Sequence, residues 1–415
     1  MNLNKKTVKD IDLKGKKIIM RADFNVPLDG TTITDDTRIR AALPTINYVL
    51  KEGASLILMS HLGRPKGFDK KFSLKPVAEY LSDLLGQNIP VVEDCLGEEA
   101  TEKATEMTPG TVIMLDNTRY YKEEQGKIKT DGMSDDEAVA AKSQMKQKQK
   151  AMAKKLASYA DVYVNDAFGT AHRAHASTAV ICDYMDECVS GFLIEKEIKF
   201  LGGVVANPEH PFVAIIGGAK VSGKLEVLET LLTKVDYILI GGGMAYTFLK
   251  ALGHNVGGSL VENDLLETAK KTLDAAEKAG VNFMLPTDNL AADNFANDAE
   301  IKLVGQDIED GWMALDVGPE TAKAYAEVIS KAKTVVWNGP MGCFEMPNFA
   351  DATNVVCKAV AESSATSIIG GGDSVSAVQK SGLADQMSHI STGGGASLEF
   401  LEGKTLPGIA ALNDR

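Results

Sequence analysis

Cysteine is scarce in this sequence. Cys95, Cys182, Cys188, Cys343 and Cys357 are the only five in 415 residues. They are odd in number and show no CxxC spacing, which excludes a disulfide framework and a zinc-ligand cluster and reads as reduced thiols in a cytoplasmic protein. Long apolar runs are missing too: no stretch reaches the ~18 residues of a membrane span. Met1 to Gly15 is polar and charged, without the apolar core of a secretory leader. Positive charge is in deficit. With 44 basic and 57 acidic side chains the net charge is −13, which argues against nucleic acid and anionic membrane as partners. Small anions need only a few well-placed cations and are not excluded. Arginine is rare: 7 of the 44 basic residues, at Arg21, Arg38, Arg40, Arg64, Arg119, Arg173 and Arg415. A G-x-G-x-x-G dinucleotide fingerprint is absent.

What is present is ordinary in bulk. Apolar residues make up 44% and charged residues 24%, as in a globular protein, and the length suits two or three domains. The charge is uneven. Residues 201–415 carry 15 basic and 27 acidic side chains, a net of −12, whereas residues 1–200 carry 29 and 30, a net of −1. Short uninterrupted apolar runs end in polar or glycine residues: KKIIMRADFNV, ASLILMSH, TVIMLDN and DVYVNDAF, then FVAIIGG, YILIGGG, TVVWNGP and TSIIGGGD. Such runs are strands buried on both faces of a parallel sheet. Amphipathic stretches such as Ser73–Leu85 and Asp264–Ala279 supply crossover helices. The predicted class is α/β, with doubly wound parallel sheets and ligands at the C-terminal strand ends. Trp312 and Trp337 read as core residues within strands. Ser190–Pro208 reads as a connecting helix that ends at Gly202-Gly203. Gly126–Lys155, with eight lysines and four acids, reads as a solvated helix behind a flexible approach; a nucleic-acid arm would want interleaved aromatics.

Four glycine-rich strand ends lie in the second half. After FVAIIGG, the run from Gly218 through Ala219, Lys220 and Gly223 to Lys224 spells G-x-x-x-x-G-K, but Leu225 stands where a Walker A motif has a magnesium-binding hydroxyl. The turn reads either as a phosphate cradle with Lys220 and Lys224 as point charges, or as an ordinary strand-to-helix turn. Gly370-Gly371-Gly372-Asp373 opens another helix. Asp373 there suits Mg²⁺ bridging phosphates, or a helix N-cap. Gly241-Gly242-Gly243 and Gly393-Gly394-Gly395 complete the set and suit a flat ligand lying close to backbone. Asn338 after TVVW reads as a phosphate donor or a turn residue, and Glu345 as an acceptor from a ribose hydroxyl.

The first half holds the internal arginines. Arg21, Asp23 and Asn25 alternate along a strand end and so share one side. Arg38 opens a helix, His61 and Arg64 flank a glycine turn, Arg119 follows TVIMLDN, and Arg173 lies with His172 and His175. Each alone reads as a surface ion pair. Together they read as a basic pocket for a small polyanion, whose oxygens the planar guanidinium fork matches.

These stretches, together with VNDAFGTAHRAHAST, GGAKVSGKLEVLE, LDVGPET, WNGPMGCFE and STGGGASLEFLEGKTLPG, resemble the phosphoglycerate kinases in family order over nearly the whole chain. The resemblance implies reversible phosphoryl transfer from 1,3-bisphosphoglycerate to ADP, giving 3-phosphoglycerate and ATP with Mg²⁺, by a monomer. It implies a substrate-binding domain over 1–188 with a tail at 403–415 packed on it, a hinge over 189–204, a nucleotide-binding domain over 205–392, and a hinge-side segment at 393–402. It carries substrate contacts onto Arg21, Asp23, Asn25, Arg38, His61, Leu62, Gly63, Arg64, Arg119 and Arg173. Nucleotide contacts fall on Gly218, Ala219, Lys220, Lys224, Gly241, Gly242, Leu315, Asn338, Pro340, Glu345, Gly370, Gly371, Gly372, Asp373 and Ser374, with the metal on Asp373. Catalysis is expected of Arg38, Lys220, Gly372 and Gly395, and domain closure of Ser190–Gly203 and Thr392–Gly395. Asp116 and Tyr120 stand where the family usually has Glu and Phe. A kinase for another small carboxylate and a hinged, non-catalytic binding protein are the alternative readings.

Overall fold

In the computed structural model, which describes residues 2–415, the chain forms two compact units, 2–199 with 405–415, and 200–404. Both are built on the uninterrupted apolar runs, and every such strand is buried along nearly its full length, as parallel sheets covered on both faces require.

The first unit contains β1 (Lys17–Ala22), β2 (Ser55–Met59), β3 (Val91–Val92), β4 (Val112–Leu115), β5 (Val162–Asp166) and β6 (Glu187–Ser190) in one parallel sheet, ordered β3-β4-β2-β1-β5-β6. The chain starts at β1, winds outward through β2, and returns to the other side of β1 with β5. The strand order therefore reverses between β1 and β5, the position at which such sheets open a crevice beyond their C-terminal ends. Arg21 stands in register with Met59 on one side and Asn165 on the other.

The second unit repeats the plan. It contains β7 (Phe212–Ile216), β8 (Tyr237–Ile240), β9 (Asn282–Met284), β10 (Asn289–Ala292), β11 (Ile301–Val304), β12 (Met313–Val317), β13 (Thr334–Asn338), β14 (Thr366–Gly370) and β15 (His389–Ile390). The parallel sheet has the order β9-β8-β7-β13-β14-β15, and β11-β10-β12 form a separate antiparallel sheet. Here the order reverses between β7 and β13. Trp337, with no exposed surface, anchors the core of this unit. Trp312 does not. It precedes β12, is only half-buried, and lies under the Lys302 ammonium at 4.1 Å.

One local expectation changes. The connecting helix spans Phe192–Ala206 and passes through Gly202 and Gly203 rather than ending there. Neither glycine takes a left-handed conformation, and the stop is set by Pro208, which disfavours helix in the residue before it. The start of this helix is held in the first unit, where buried Asp166 Oδ1 accepts from the N–H groups of Leu193 (2.9 Å) and Ile194 (3.3 Å). Burial pushes that carboxyl up to about 7. The Lys-rich segment is a 23-residue helix, Asp135–Ala157, closed at its start by a Ser134–Glu137 capping box. It buries Met145, Gln149, Met152 and Leu156 and leaves its lysines outside. The C-terminus completes the first unit: Lys5 Nζ donates to the Leu412 carbonyl (2.8 Å) and pairs with Asp414 (2.7 Å), and Arg415 pairs with Asp10 (2.8 Å).

Candidate active site

The residues that follow β1, β2, β4 and β5 build a cationic site at the C-terminal edge of the first sheet. β1 stops at Ala22, so Asp23 and Asn25 lie in the loop beyond it rather than on the strand. That loop does structural work of its own. The Asn25 side chain accepts from the Gly63 N–H (2.7 Å), while its carbonyl accepts from Arg38 Nη1 (2.6 Å). Arg38, the second residue of helix Thr37–Lys51, also faces Asp23 at 3.6 Å. With Asn25, Val26, Pro27 and Asp35 it lines a cavity of about 410 Å³. The glycine turn after β2 hands its Gly63 carbonyl to Arg119 Nη1 (3.0 Å). Leu62 is buried there, and Arg64 is exposed. Arg173, also exposed, donates from Nε to His172 Nε2 (3.0 Å).

The cluster is electrostatically loaded. Burial, then Arg21 and Arg173, bring Arg119 down to about 10. His61 is driven well below its ordinary value by burial, with Arg21, Arg119, His175 and Arg38 adding to the effect. Burial and neighbouring arginines take His175 to about 3 and His172 to about 4. All three imidazoles are therefore neutral at pH 7. Arg119 Nε is buried without a partner. Such an orphan donor is costly unless a ligand oxygen meets it.

Arg21 differs from the other arginines. It has no exposed surface, and its donors are turned inward: Nε to Ser177 Oγ (2.9 Å), Nη1 to the Ala22 carbonyl (2.5 Å) and Nη2 to His61 Nδ1 (3.0 Å). It charges the site and holds His61, and it presents nothing to a ligand directly. Ser177 meets it from behind and Glu124 in turn holds Ser177, two residues the sequence does not mark. Nothing in KEEQ or AHAST marks them, because their role depends on three separate chain segments meeting.

The second site lies beyond β7, β8, β13 and β14. Backbone lies against backbone here. The Gly217 N–H donates to the Asn338 carbonyl (3.0 Å), Gly242 to the Met341 carbonyl (2.7 Å), and Met244 to the Gly218 carbonyl (3.0 Å). Ala219 and Lys220 project into solvent, as do Gly372, Asp373, Glu345 and Gly395. Half-buried Lys224 donates to Asn338 Oδ1. Burial lowers it to about 8, against the opposing charges of Asp373 and Glu402. Asn338 Nδ2 is buried and unpaired, a second donor aimed at no protein acceptor.

Gly371 (φ +87°) is the N-cap of helix Gly372–Ser381, a left-handed conformation that favours glycine. Asp373 lies one residue inside the helix and makes no cap hydrogen bond, so the N-cap reading does not hold and its carboxylate is left for a ligand. Buried Ser374 instead accepts from the Gly339 N–H (2.5 Å) and fixes the loop after β13. A Cβ on Gly394 would stand 3.7 Å from Gly371 Cα and Gly372 N, so the start of helix Gly394–Leu401 abuts this turn. Pro340 and Leu315 are buried, and Leu315 packs with Ala292 and Phe349. Among the described residues no group of three or more His, Cys, Asp or Glu side chains could hold a metal. A divalent cation would rest on Asp373 with ligand oxygens and water, which is how Mg²⁺ is ordinarily held beside phosphates. A carboxylate left free beside the Lys224 charge fits that role.

The family model of phosphoglycerate kinase matches residues 8–404. A phosphoglycerate kinase of Clostridium botulinum (strain Hall) is 53% identical over 419 residues, covering 100% of both chains. The cytosolic phosphoglycerate kinase of Triticum aestivum is 54% identical over 413 residues, 98% of each. Among solved structures, the phosphoglycerate kinase of Coxiella burnetii aligns with a TM-score of 0.86 at 40% identity. That of Pyrococcus horikoshii OT3 aligns at 0.81 and 32%, and both cover 98% of each chain.

Proposed function

This chain belongs to the phosphoglycerate kinase family, and from that premise we propose how its two sites divide the family's reaction, reversible phosphoryl transfer between 1,3-bisphosphoglycerate and ADP. The cationic site of the first unit takes the phosphoglycerate. Arg38, Arg64, Arg119 and Arg173 meet its anionic oxygens, and neutral His61 and Asn25 orient it. The glycine-lined site of the second unit takes the nucleotide: Gly241, Gly242, Leu315 and Pro340 lie against the base, Glu345 accepts from the ribose, and Gly218, Ala219, Lys220, Lys224, Asn338 and Gly370–Gly372 meet the phosphates. Asp373 would hold Mg²⁺, which would supply charge neutralisation at the nucleotide phosphates.

The observation that carries this reading is the placement of buried, unpartnered donors, Arg119 Nε in one site and Asn338 Nδ2 in the other, each among cations at the C-terminal ends of a parallel sheet. An acyl phosphate needs little acid–base help, since its leaving carboxylate is a weak base. The chain's task is therefore alignment and charge neutralisation. Arg38 and Lys220 supply charge to the transferred group, with Gly372 and Gly395 leaving backbone N–H groups accessible. In-line transfer needs reacting atoms ~3–3.5 Å apart, so a substrate-dependent closure is expected, with Ser190–Gly203 and Thr392–Gly395 as its hinges. Scattering curves that superimpose with and without both substrates would rule closure out.

A coupled assay with 3-phosphoglycerate, acetate and aspartate, with and without Mg²⁺, tests the function. Turnover is expected with 3-phosphoglycerate and Mg²⁺ only. Equal turnover with acetate would favour a kinase for another carboxylate, and binding without turnover a non-catalytic protein. This reading takes the protein as a cytoplasmic monomer. Among the described residues no helix is long and apolar enough to cross a membrane.

Lys224 makes nucleotide affinity depend on pH. Its charged form binds phosphate, and in the free protein that form is lost above about 8. ADP affinity is therefore level below pH 7.5 and falls above about 8, approaching tenfold per pH unit. Lys224→Arg, which does not titrate in this range, flattens the profile. Calorimetry from pH 6.5 to 9.5 checks this, and a flat wild-type profile would remove Lys224 from phosphate binding.

A further inference from the structure

Behind the cationic site runs a chain of buried hydrogen bonds. Glu124, on the short helix Lys122–Gln125, has no exposed surface. Its Oε1 accepts from Ser177 Oγ (2.5 Å) and Thr118 Oγ1 (3.2 Å), and its Oε2 from the Ser177 N–H (3.0 Å). His175 Nδ1 lies 3.8 Å from Oε1 and is neutral, so it gives no full counter-charge. The Ser177 hydroxyl has one proton. Glu124 takes it, which leaves an oxygen lone pair for Arg21 Nε at 2.9 Å. Arg21 Nη2, 3.0 Å away, can only donate, so His61 Nδ1 accepts and the ring proton must sit on Nε2.

We propose that Glu124 and Ser177 are positioning residues for the substrate: the chain Glu124–Ser177–Arg21–His61 locks His61 as the neutral Nε2–H tautomer, a fixed donor to the anionic group of the phosphoglycerate. This rests on reading the first unit's site as the phosphoglycerate site. A free imidazole offers either nitrogen as donor. A buried one gripped at Nδ1 by a guanidinium offers one, in one direction. Glu124 is needed because Ser177 could otherwise turn its proton toward Arg21, and because a buried arginine beside Arg119 and Arg173 requires a buried counter-charge.

Ser177→Ala removes the relay but keeps the Ser177 backbone bond to Glu124. Glu124→Gln keeps shape but sets an amide donor against either the Ser177 N–H or its hydroxyl proton. Two readouts separate positioning from general damage. The first is long-range ¹H–¹⁵N correlation of the His61 ring in ¹⁵N-histidine-labelled protein, with His61 assigned by its loss in His61→Gln. The second is KM for 3-phosphoglycerate against KM for ATP. Wild-type His61 is expected purely as the Nε2–H tautomer. Ser177→Ala is expected to mix the tautomers and raise KM for 3-phosphoglycerate ~10-fold or more, with KM for ATP within about twofold. A wild-type Nδ1–H tautomer would overturn the proposal even if neither variant folded. So would an unchanged tautomer in a folded variant, or equal rises in both KM values. If the wild-type protein gave no turnover with 3-phosphoglycerate while the tautomer still responded to Ser177→Ala, the substrate assignment would fail and the relay would stand.

Discussion

Arg38→Ala is expected to lower kcat by about 10³-fold or more, with less than a tenfold change in KM for either substrate. The size follows from what the side chain faces. Its guanidinium is held by the Asn25 carbonyl at 2.6 Å and by Asp23 at 3.6 Å, which leaves most of its N–H donors directed at the cavity. Preorganised charge of this kind stabilises a transferring phosphoryl group more than a bound ground-state ligand, since charge on the equatorial oxygens is greatest in transit. The remaining arginines and His61 hold the ground-state substrate, so KM changes little. Arg38→Lys should recover little, because an ammonium cannot both grip Asn25 and present a planar fork. Steady-state kinetics in both directions checks this. A loss confined to KM would reduce Arg38 to a binding residue.

Gly217→Ala is the substitution expected to damage the second unit most. An added Cβ would sit 2.0 Å from the Pro340 carbonyl oxygen and 2.6 Å from that of Gly339, both backbone atoms with no rotamer to turn away. The contact is mutual: a Cβ on Gly339, which has φ +101°, would meet the Gly217 carbonyl oxygen at 2.2 Å. These glycines join β7 to β13 where the strand order reverses. Parting them moves Asn338 at the end of β13 and Met341 in the loop after it, hence the anchors of Lys224 and Gly242. Destabilisation of about 2–4 kcal/mol is expected, with at least a tenfold loss of ADP affinity. Gly305→Ala is the control, since its Cβ would meet nothing within 4 Å and its φ is unstrained. Equal melting and ADP binding for the two variants would show that the loop tolerates separation.

The class of fold was legible because a strand covered on both faces has to be apolar throughout, and runs such as ASLILM and FVAII admit few other readings. Where each chemical group would lie was legible for the same reason: residues just after such runs fall at the C-terminal edge of the sheet. What each group does there was less so. Arg21 reads as one more cation of the pocket, and only the packing of Ser177, Ala22 and His61 around it shows that it faces inward. Asp373 reads as a magnesium ligand or a cap, and only the position of Gly371 as N-cap frees its carboxylate. Gly202-Gly203 reads as a stop, yet Pro208 ends the helix, because glycine permits a break without imposing one.

The sequence by itself therefore determined the α/β class, the family and the two strand-end sets of cations and glycines, since these rest on local pattern and on order along the chain. Tertiary structure alone decided that Arg21 faces inward, which nitrogen of His61 its guanidinium grips, and that Glu124 holds Ser177 behind it. Those outcomes depend on side chains 40 to 156 residues apart meeting in a dry interior, where every donor must find an acceptor. No pattern read along the chain encodes that pairing.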